Sequence, residues 1–187
     1  MQNEKDDYKV HVKGESGEVV CKIIIIGDGG VGKTSLLRKY IKNQFETDYL
    51  PTVGVNISKQ NVHHKGKDYN LLIWDLAGQP QFFLLHKVYY NGANGIIIMF
   101  DLTASSSFTN IKNWHKELVK YGLKDVPIIL VGNKTDLKKE RKIIKPMAES
   151  LMEQLDISVY FETSALDGSQ VNDVFKKITE MITETRK

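Results

Sequence analysis

Four short stretches of this chain combine residue types that act on phosphorylated ligands. Gly27-Asp28-Gly29-Gly30-Val31-Gly32-Lys33-Thr34 fits the spacing G-x-x-x-x-G-K-[ST]. Glycine lets the backbone turn at positive φ and brings N–H groups against phosphate oxygens with no Cβ in the way. Asp28, Gly29, Gly30, Val31 and Gly32 would form that cradle, and Ser35 continues it into a helix whose N-terminal dipole favours anions. Lys33 supplies a point charge to β- and γ-phosphates, and the Thr34 hydroxyl supplies one oxygen to Mg2+. A loop of this kind leaves kinases, ATPases and GTPases open.

Asn133-Lys134-Thr135-Asp136, followed by Leu137, narrows the choice. Guanine presents N1–H and an exocyclic amine side by side, and the carboxylate of Asp136 can accept both hydrogen bonds. Adenine has an acceptor at N1 and no amine at C2, so it would leave a buried carboxylate unpaired. Sites built this way discriminate by about 10⁴–10⁵. Asp75-Leu76-Ala77-Gly78 offers an Asp that can hold Mg2+ through a water and a Gly N–H that can face a γ-phosphate. Thr163-Ser164-Ala165 offers backbone amides to the base.

The elements that must position these stretches are legible in the apolar pattern. Ile23 to Ile26, Ile96 to Phe100 and Ile128 to Val131 are apolar without alternation, as parallel strands buried between helices are. Ser35 to Lys42, Ser106 to Tyr121 and Val171 to Ile182 carry apolar residues at helical spacings. Strand then helix, repeated, predicts an α/β fold with a parallel sheet and right-handed crossovers. Val55 to Val62 and Tyr69 to Trp74 read as a hairpin joined across His63 to Asp68, which adds one antiparallel edge. A short strand over Ser158 to Phe161 precedes Thr163. All four stretches then fall past the carboxyl ends of strands, where open α/β sheets bind ligands.

With 187 residues, one domain is expected: residues 1–18 as an N-terminal extension and 19–187 as the domain. The 26 basic and 23 acidic residues give a net charge of +3, too small to argue for nucleic acid as a partner. No apolar run reaches the roughly 18–20 residues that span a bilayer. Cys21 is the only cysteine, so no internal disulfide forms, and neither end carries a myristoyl or prenyl signal. No lipid anchor is therefore expected. His63-His64 reads as a hairpin tip, Met147 and Met152 as core filler, and Lys138 to Lys145 as a solvated helix face.

In this order the motifs resemble the Ras superfamily of small GTPases, and Trp74-Asp75-x-Ala77-Gly78-Gln79 is most similar to the Rab branch. The resemblance covers Val19 to Ile182. It implies a P-loop NTPase G domain of α/β class, a mostly parallel six-stranded sheet with one antiparallel edge strand and helices on both faces. It also implies GTP and GDP as ligands, GTP as substrate and Mg2+ as cofactor. Thr52, in Tyr49-Leu50-Pro51-Thr52-Val53-Gly54, would be the switch threonine that closes on Mg2+ and the γ-phosphate, beside Thr34 and Asp75. Phe45 falls where the family packs an aromatic edge against guanine, and Tyr49 where a tyrosine covers the phosphates. Gln79 matches the glutamine that orients the attacking water, so the expected catalytic set is Gln79, Lys33 and Thr52. Gly78 faces the γ-phosphate, while Asn133, Lys134, Asp136, Leu137, Ser164, Ala165 and Leu166 surround the base. Stretches 44–54 and 76–90 would order with GTP and relax after hydrolysis. They are the expected binding sites for a GTPase-activating protein, an exchange factor and effectors. A cytoplasmic monomer, peripheral to a membrane only through partners, is expected.

Three features depart from the family pattern. Pro80 follows Gln79 where an acidic residue is usual, and proline disfavours helical backbone at the preceding residue. Leu166 stands where a lysine is common. The C-terminal cysteines of Rab proteins are absent, as in Rab-like GTPases of archaea. Two other readings stay open: a P-loop ATPase or nucleoside kinase, against which stand Asp136 and the lack of a lid-like arginine cluster, and a catalytically silent, nucleotide-locked scaffold, which Pro80 keeps open. Phe82, Phe83, Leu84 and Leu85 make the second switch stretch unusually apolar, as a segment that packs or binds would be.

Overall fold

The uninterrupted isoleucine and valine runs form the buried centre of a twisted sheet. In the computed structural model, which describes residues 19–42 and 52–185, they lie in β1 (Val19–Ile26), β4 (Gly95–Asp101) and β5 (Ile128–Asn133). Every residue of β4 and β5 is buried, as strands covered on both faces must be. β2 (Val55–His64) and β3 (Lys67–Leu76) form the hairpin, and β6 (Val159–Thr163) closes the far edge. The order across the six-stranded sheet is β2-β3-β1-β4-β5-β6. All neighbours pair in parallel except β2 and β3.

The chain passes from β1 to β3 on one side and to β4 on the other, so the strand order reverses at β1. A crevice opens at the carboxyl end of such a strand. Successive β1 residues split between the two faces. Ile24 and Ile26 join Ile96, Ile98 and Phe100 against α4 (Ile111–Lys120) and α5 (Lys145–Leu155). Ile23 and Ile25 join Ile97 and Met99 against α1 (Lys33–Lys42) and α6 (Val171–Thr185). There Tyr40 stacks on Phe175 with ring centroids 3.9 Å apart. Helices thus cover both faces, as the sequence predicts. Among the described residues no helix is long and apolar enough to cross a membrane.

The structure corrects several local expectations. The hairpin connection is only Lys65-Gly66, both at positive φ (48° and 75°), so strand pairing runs out to His64 and Lys67. Two such residues give the twist that matches the flanking strands. The helix expected over 106–121 is two, α3 (Ser105–Thr109) and α4, broken at Asn110. α5, with Pro146 in its first turn, is not foreseen in the sequence, and of the basic run Lys138 to Lys142 lie in turn and irregular backbone while Lys145 alone stands on the helix. Met147 is 41% exposed, so it is not core filler, whereas Met152 packs against the core. His63 pairs with Asp68 at 2.7 Å on the surface, while His64 is half-buried. A 3-10 turn (Pro80–Phe82) leads into α2 (Phe83–Tyr90). The extension 1–18, with Phe45, Tyr49 and most of 44–54, lies outside the described residues.

Gly95 opens β4 directly beneath α6. A Cβ there would lie 2.7 Å from Ile182 Cδ1 and 2.9 Å from Ile178 Cγ1, and both isoleucines are fully buried. Gly95→Ala is therefore expected to destabilise the domain by about 1–3 kcal/mol. In an Ile182→Val background, which removes the nearer methyl, urea unfolding should show a smaller loss; an equal loss would exclude this contact as the cause.

Candidate functional site

All four sequence stretches converge on the carboxyl edge of the sheet, fixed there by strand register. Ile25 pairs with Asp75, Asp101 with Asn133, and Asn133 with Thr163. The phosphate loop leaves β1 at Gly27, whose φ of 137° and tight seat favour glycine: a Cβ would sit 2.2 Å from the Met99 carbonyl oxygen. Lys33 is 6% exposed and donates from Nζ to the carbonyls of Gly27 (2.7 Å) and Asp28 (2.8 Å), folding the loop over its own ammonium. Burial lowers its pKa to about 8, against the opposing pull of Asp75 and Asp28. Gly29 and Gly30 are exposed, Val31 is buried, and Gly32 turns at φ 98° beside the Asn133 amide. Thr34 and Ser35 open α1 half-buried.

Three residues distant in sequence meet at Thr34. Its hydroxyl donates to Asp75 Oδ2 at 2.5 Å and lies 2.9 Å from the hydroxyl of Thr52. Asp75 is 0% exposed, and its second oxygen, Oδ1, is buried without a hydrogen-bond partner. Burial pushes its pKa up, opposed by the Thr34 hydrogen bond and by the positive fields of Lys33 and Arg38. Two hydroxyls and an unsatisfied carboxylate oxygen are hard donors of the kind Mg2+ takes. Among the described residues no cluster of three His, Cys, Asp or Glu exists that could hold a metal by itself. An ion here would need phosphate or water oxygens to complete its shell.

Gly78 is seated as tightly as Gly27. A Cβ on it would lie 2.2 Å from the Gly27 carbonyl oxygen and 2.7 Å from the Gly29 nitrogen, so any other residue would push the phosphate loop away. Gln79 follows, with Oε1 buried and unpartnered and Cγ facing Gly29. Its carbonyl accepts from Phe82 N–H at 3.1 Å. Pro80 opens that turn, where its missing N–H costs nothing.

At the other end of the crevice, Asn133 is 1% exposed and spends its amide on the fold. Its Nδ2 donates to the Val31 carbonyl (2.9 Å), and its Oδ1 accepts from the Thr163 hydroxyl (3.0 Å). It therefore ties the phosphate loop to the base loops. Lys134, at φ 73°, pairs with Asp101 at 2.7 Å. Asp136 Oδ1 accepts from the Ser164 hydroxyl at 2.6 Å, and Leu137 N–H donates to the Lys134 carbonyl at 3.1 Å. Ser164 Oγ also accepts the N–H groups of Leu166 and Asp167. Ala165 is buried beside it, whereas the Leu166 side chain is 50% exposed.

The sequence did not reveal what braces these loops. Asp28 Oδ1 accepts from Asn110 Nδ2 at 2.6 Å and from Trp114 Nε1 at 2.8 Å, which pins the phosphate loop to α4. Asn110 is where the expected single helix breaks. Arg141 grips both oxygens of Glu162, next to Thr163, and Tyr160 donates to the same carboxylate at 3.0 Å. Burial opposes the charge on Glu162, but these bonds win and hold its pKa below the ordinary value.

Residues 22–184 match the Ras family model. The chain is 36% identical over 171 residues to the Ras-related protein SEC4 of Saccharomyces cerevisiae, an alignment that spans 91% of this chain and 79% of that protein. It is 37% identical over 161 residues to the Ras-related protein Rab-13 of Mesocricetus auratus, across 86% and 79% of the two chains. To the Ras-related protein RABD2a of Arabidopsis thaliana it is 39% identical over 167 residues, across 89% and 82%. With the family match running through nearly the whole fold, the chain belongs to the Ras family and is a Rab-like small GTPase, an enzyme that hydrolyses GTP.

Proposed function

We propose that this GTPase is a switch that binds GTP and GDP in the carboxyl-edge crevice and hydrolyses GTP slowly, regulating membrane traffic or signalling through effectors. Residues 19–187 would form the G domain and 1–18 an extension to it. The observation that carries the reading is the meeting of Thr34, Thr52 and Asp75, which gathers two hydroxyls and a buried carboxylate from three separate segments beside the phosphate loop.

In this reading the N–H groups of Asp28 to Lys33 cradle the phosphates, and Lys33 Nζ shifts from the loop carbonyls toward the β- and γ-oxygens. Thr34, Thr52 and Asp75 would hold Mg2+, which neutralises charge on the phosphates when bound. Gly78 N–H faces the γ-phosphate, and Gln79 offers its amide to the attacking water. Asp136 Oδ1 is engaged by Ser164, and the carboxylate takes the guanine N1–H and amine. Ser164, Ala165 and Leu137 wall the base, with Leu166 across its open side. Phe45 and Tyr49 would cover guanine and phosphates from the first switch stretch. Val53 and Ile57 are 80% and 50% exposed, and Leu85 and Val88 are 43% and 70% exposed. Such apolar groups within and beside 44–54 and 76–90 suit effectors and regulators, and membrane contact would come through those partners.

Two substitutions test the roles. Thr34→Asn is expected to weaken GTP more than GDP, because only the triphosphate offers γ-oxygens to the ion; equal weakening in titration calorimetry contradicts that role. Asp136→Asn is expected to relax the preference for guanine, measured as displacement of labelled GDP by GTP against ATP. ATP competing as well as GTP against the unaltered protein would overturn the guanine reading.

Turnover follows from charge. The arginines are Arg38, Arg141 and Arg186, with none in 44–54 or 76–90, and Arg141 is committed to Glu162. Arg38 lies on α1, where its field reaches Asp75, and neither switch stretch holds an arginine to act as a finger in cis. Single-turnover hydrolysis is expected on the order of 10⁻³ s⁻¹ or below, with about 10³–10⁵-fold stimulation available from a partner. Gln79→Leu should slow the basal rate with nucleotide affinity nearly unchanged. A basal rate near 1 s⁻¹ would reveal a catalyst within the chain, and no measurable turnover with or without a partner would favour the silent scaffold.

A further inference from the structure

Among the described side chains of α2, two apolar ones face outward and a histidine faces inward. Leu85 and Val88 point to solvent, while His86 is 1% exposed and Tyr90, one turn on, is equally buried. A histidine placed so deeply needs partners, and His86 finds them on three sides. Its Nε2 lies 3.3 Å from the Ala77 carbonyl oxygen. Its Nδ1 lies 3.0 Å from Glu117 Oε1 on α4 and 3.5 Å from the Tyr90 hydroxyl. The ring packs 5.5 Å from Trp114, the residue that donates to Asp28. Both ring nitrogens face acceptors, the Ala77 carbonyl at Nε2 and the Glu117 carboxylate at Nδ1, so the bond to Ala77 forms in the tautomer, or the doubly protonated ring, that carries a proton on Nε2.

That carbonyl belongs to the peptide joining Ala77 to Gly78. Ala77 N–H donates to the Gly54 carbonyl at 2.9 Å, and Gly78 presses on the phosphate loop at Gly27. The peptide is therefore confined by the phosphate loop on one side and faces His86 on the other. Both sides trace to α4, through Trp114 to Asp28 and through Glu117 to His86. We propose that His86 is a positioning residue for GTP hydrolysis: its Nε2–H fixes the Ala77–Gly78 peptide, and with it Gln79, in register with the phosphate loop. The proposal rests on the reading of Gln79 as the group that orients water.

Two substitutions separate positioning from packing. His86→Gln keeps an N–H donor that reaches the Ala77 carbonyl but loses the ring; His86→Phe keeps the ring against Trp114 and Tyr90 but loses the donor. Single-turnover hydrolysis and GDP dissociation are measured for both, for Gln79→Leu and for the Gln79→Leu/His86→Phe double variant. Positioning predicts His86→Phe slower by about 10–100-fold with GDP affinity held, and His86→Gln much closer to the unaltered protein. It also predicts no further loss from His86→Phe once Gln79 is Leu. The reverse order, with Phe tolerated and Gln slow, or a fully additive double variant, overturns the proposal. Should one His86 variant be too unstable to assay, the other decides: a slow His86→Gln overturns the proposal, and a slow His86→Phe supports it. If Gln79→Leu leaves the rate unaltered, the reading of Gln79 fails; if Gln79→Leu is slow and His86→Phe is not, the His86 proposal alone fails.

Discussion

The site depends on burying a cation and an anion side by side while satisfying each with neutral groups. Lys33 and Asp75 are 6% and 0% exposed, and withdrawing an ion from water costs several kcal/mol even after relaxation. Lys33 recovers part of this from two loop carbonyls, and Asp75 from the Thr34 hydroxyl. Neither is fully compensated: the ammonium is held well below its usual pKa and the carboxyl above. A phosphate with a divalent cation answers both deficits at once. The surrounding geometry follows from that need, because carbonyls can wrap an ammonium only if the chain turns tightly at Gly27 and if Gly78 lets the next strand approach.

Chemistry carried by contiguous residues was legible in the sequence, and chemistry assembled across the fold was not. The phosphate loop, Asp75 to Gly78, and Asn133 to Asp136 each stand out through local spacing, and the apolar runs place them at the strand ends where the fold has them. The role of Asn133 was only partly legible: it was expected beside the base, and its amide joins Val31 to Thr163. The hold of Asn110 and Trp114 on Asp28 links residues more than eighty positions apart, so periodicity could show only that Trp114 faced the core. One trace was present. Asn110 stands within a helical apolar pattern where its side chain does nothing for a helix, and there the helix breaks. α5 was hidden for a different reason, since Lys138 to Lys142 masked its start and its apolar face is narrow.

The bracing concentrates on one helix. α4 reaches the phosphate loop through Asn110 and Trp114 and α2 through Glu117, while its own Ile111, Trp114 and Leu118 are sunk in the core beneath β4. A rigid element that touches both segments fixes their spacing more firmly than direct contact between them could, because each segment alone is short. The same reasoning explains why Asp28 matters although its side chain need not touch a ligand.

The outward Leu85 and Val88 and the inward His86 of α2 complete this logic. Turning Leu85 and Val88 inward would stabilise the helix by about 1.5–3 kcal/mol for each side chain buried, and would lock it in place. A buried hydrogen bond returns only about 0.5–1.5 kcal/mol net, but it is directional. His86 therefore sets where the helix sits without strongly holding it there, and the apolar area not spent on the core remains on the surface. An element attached by directional polar contacts rather than by apolar burial is accurately placed and lightly held. The orientation comes from a polar contact to α4, while the apolar side chains of Val53, Leu85 and Val88 stay uncovered at the surface.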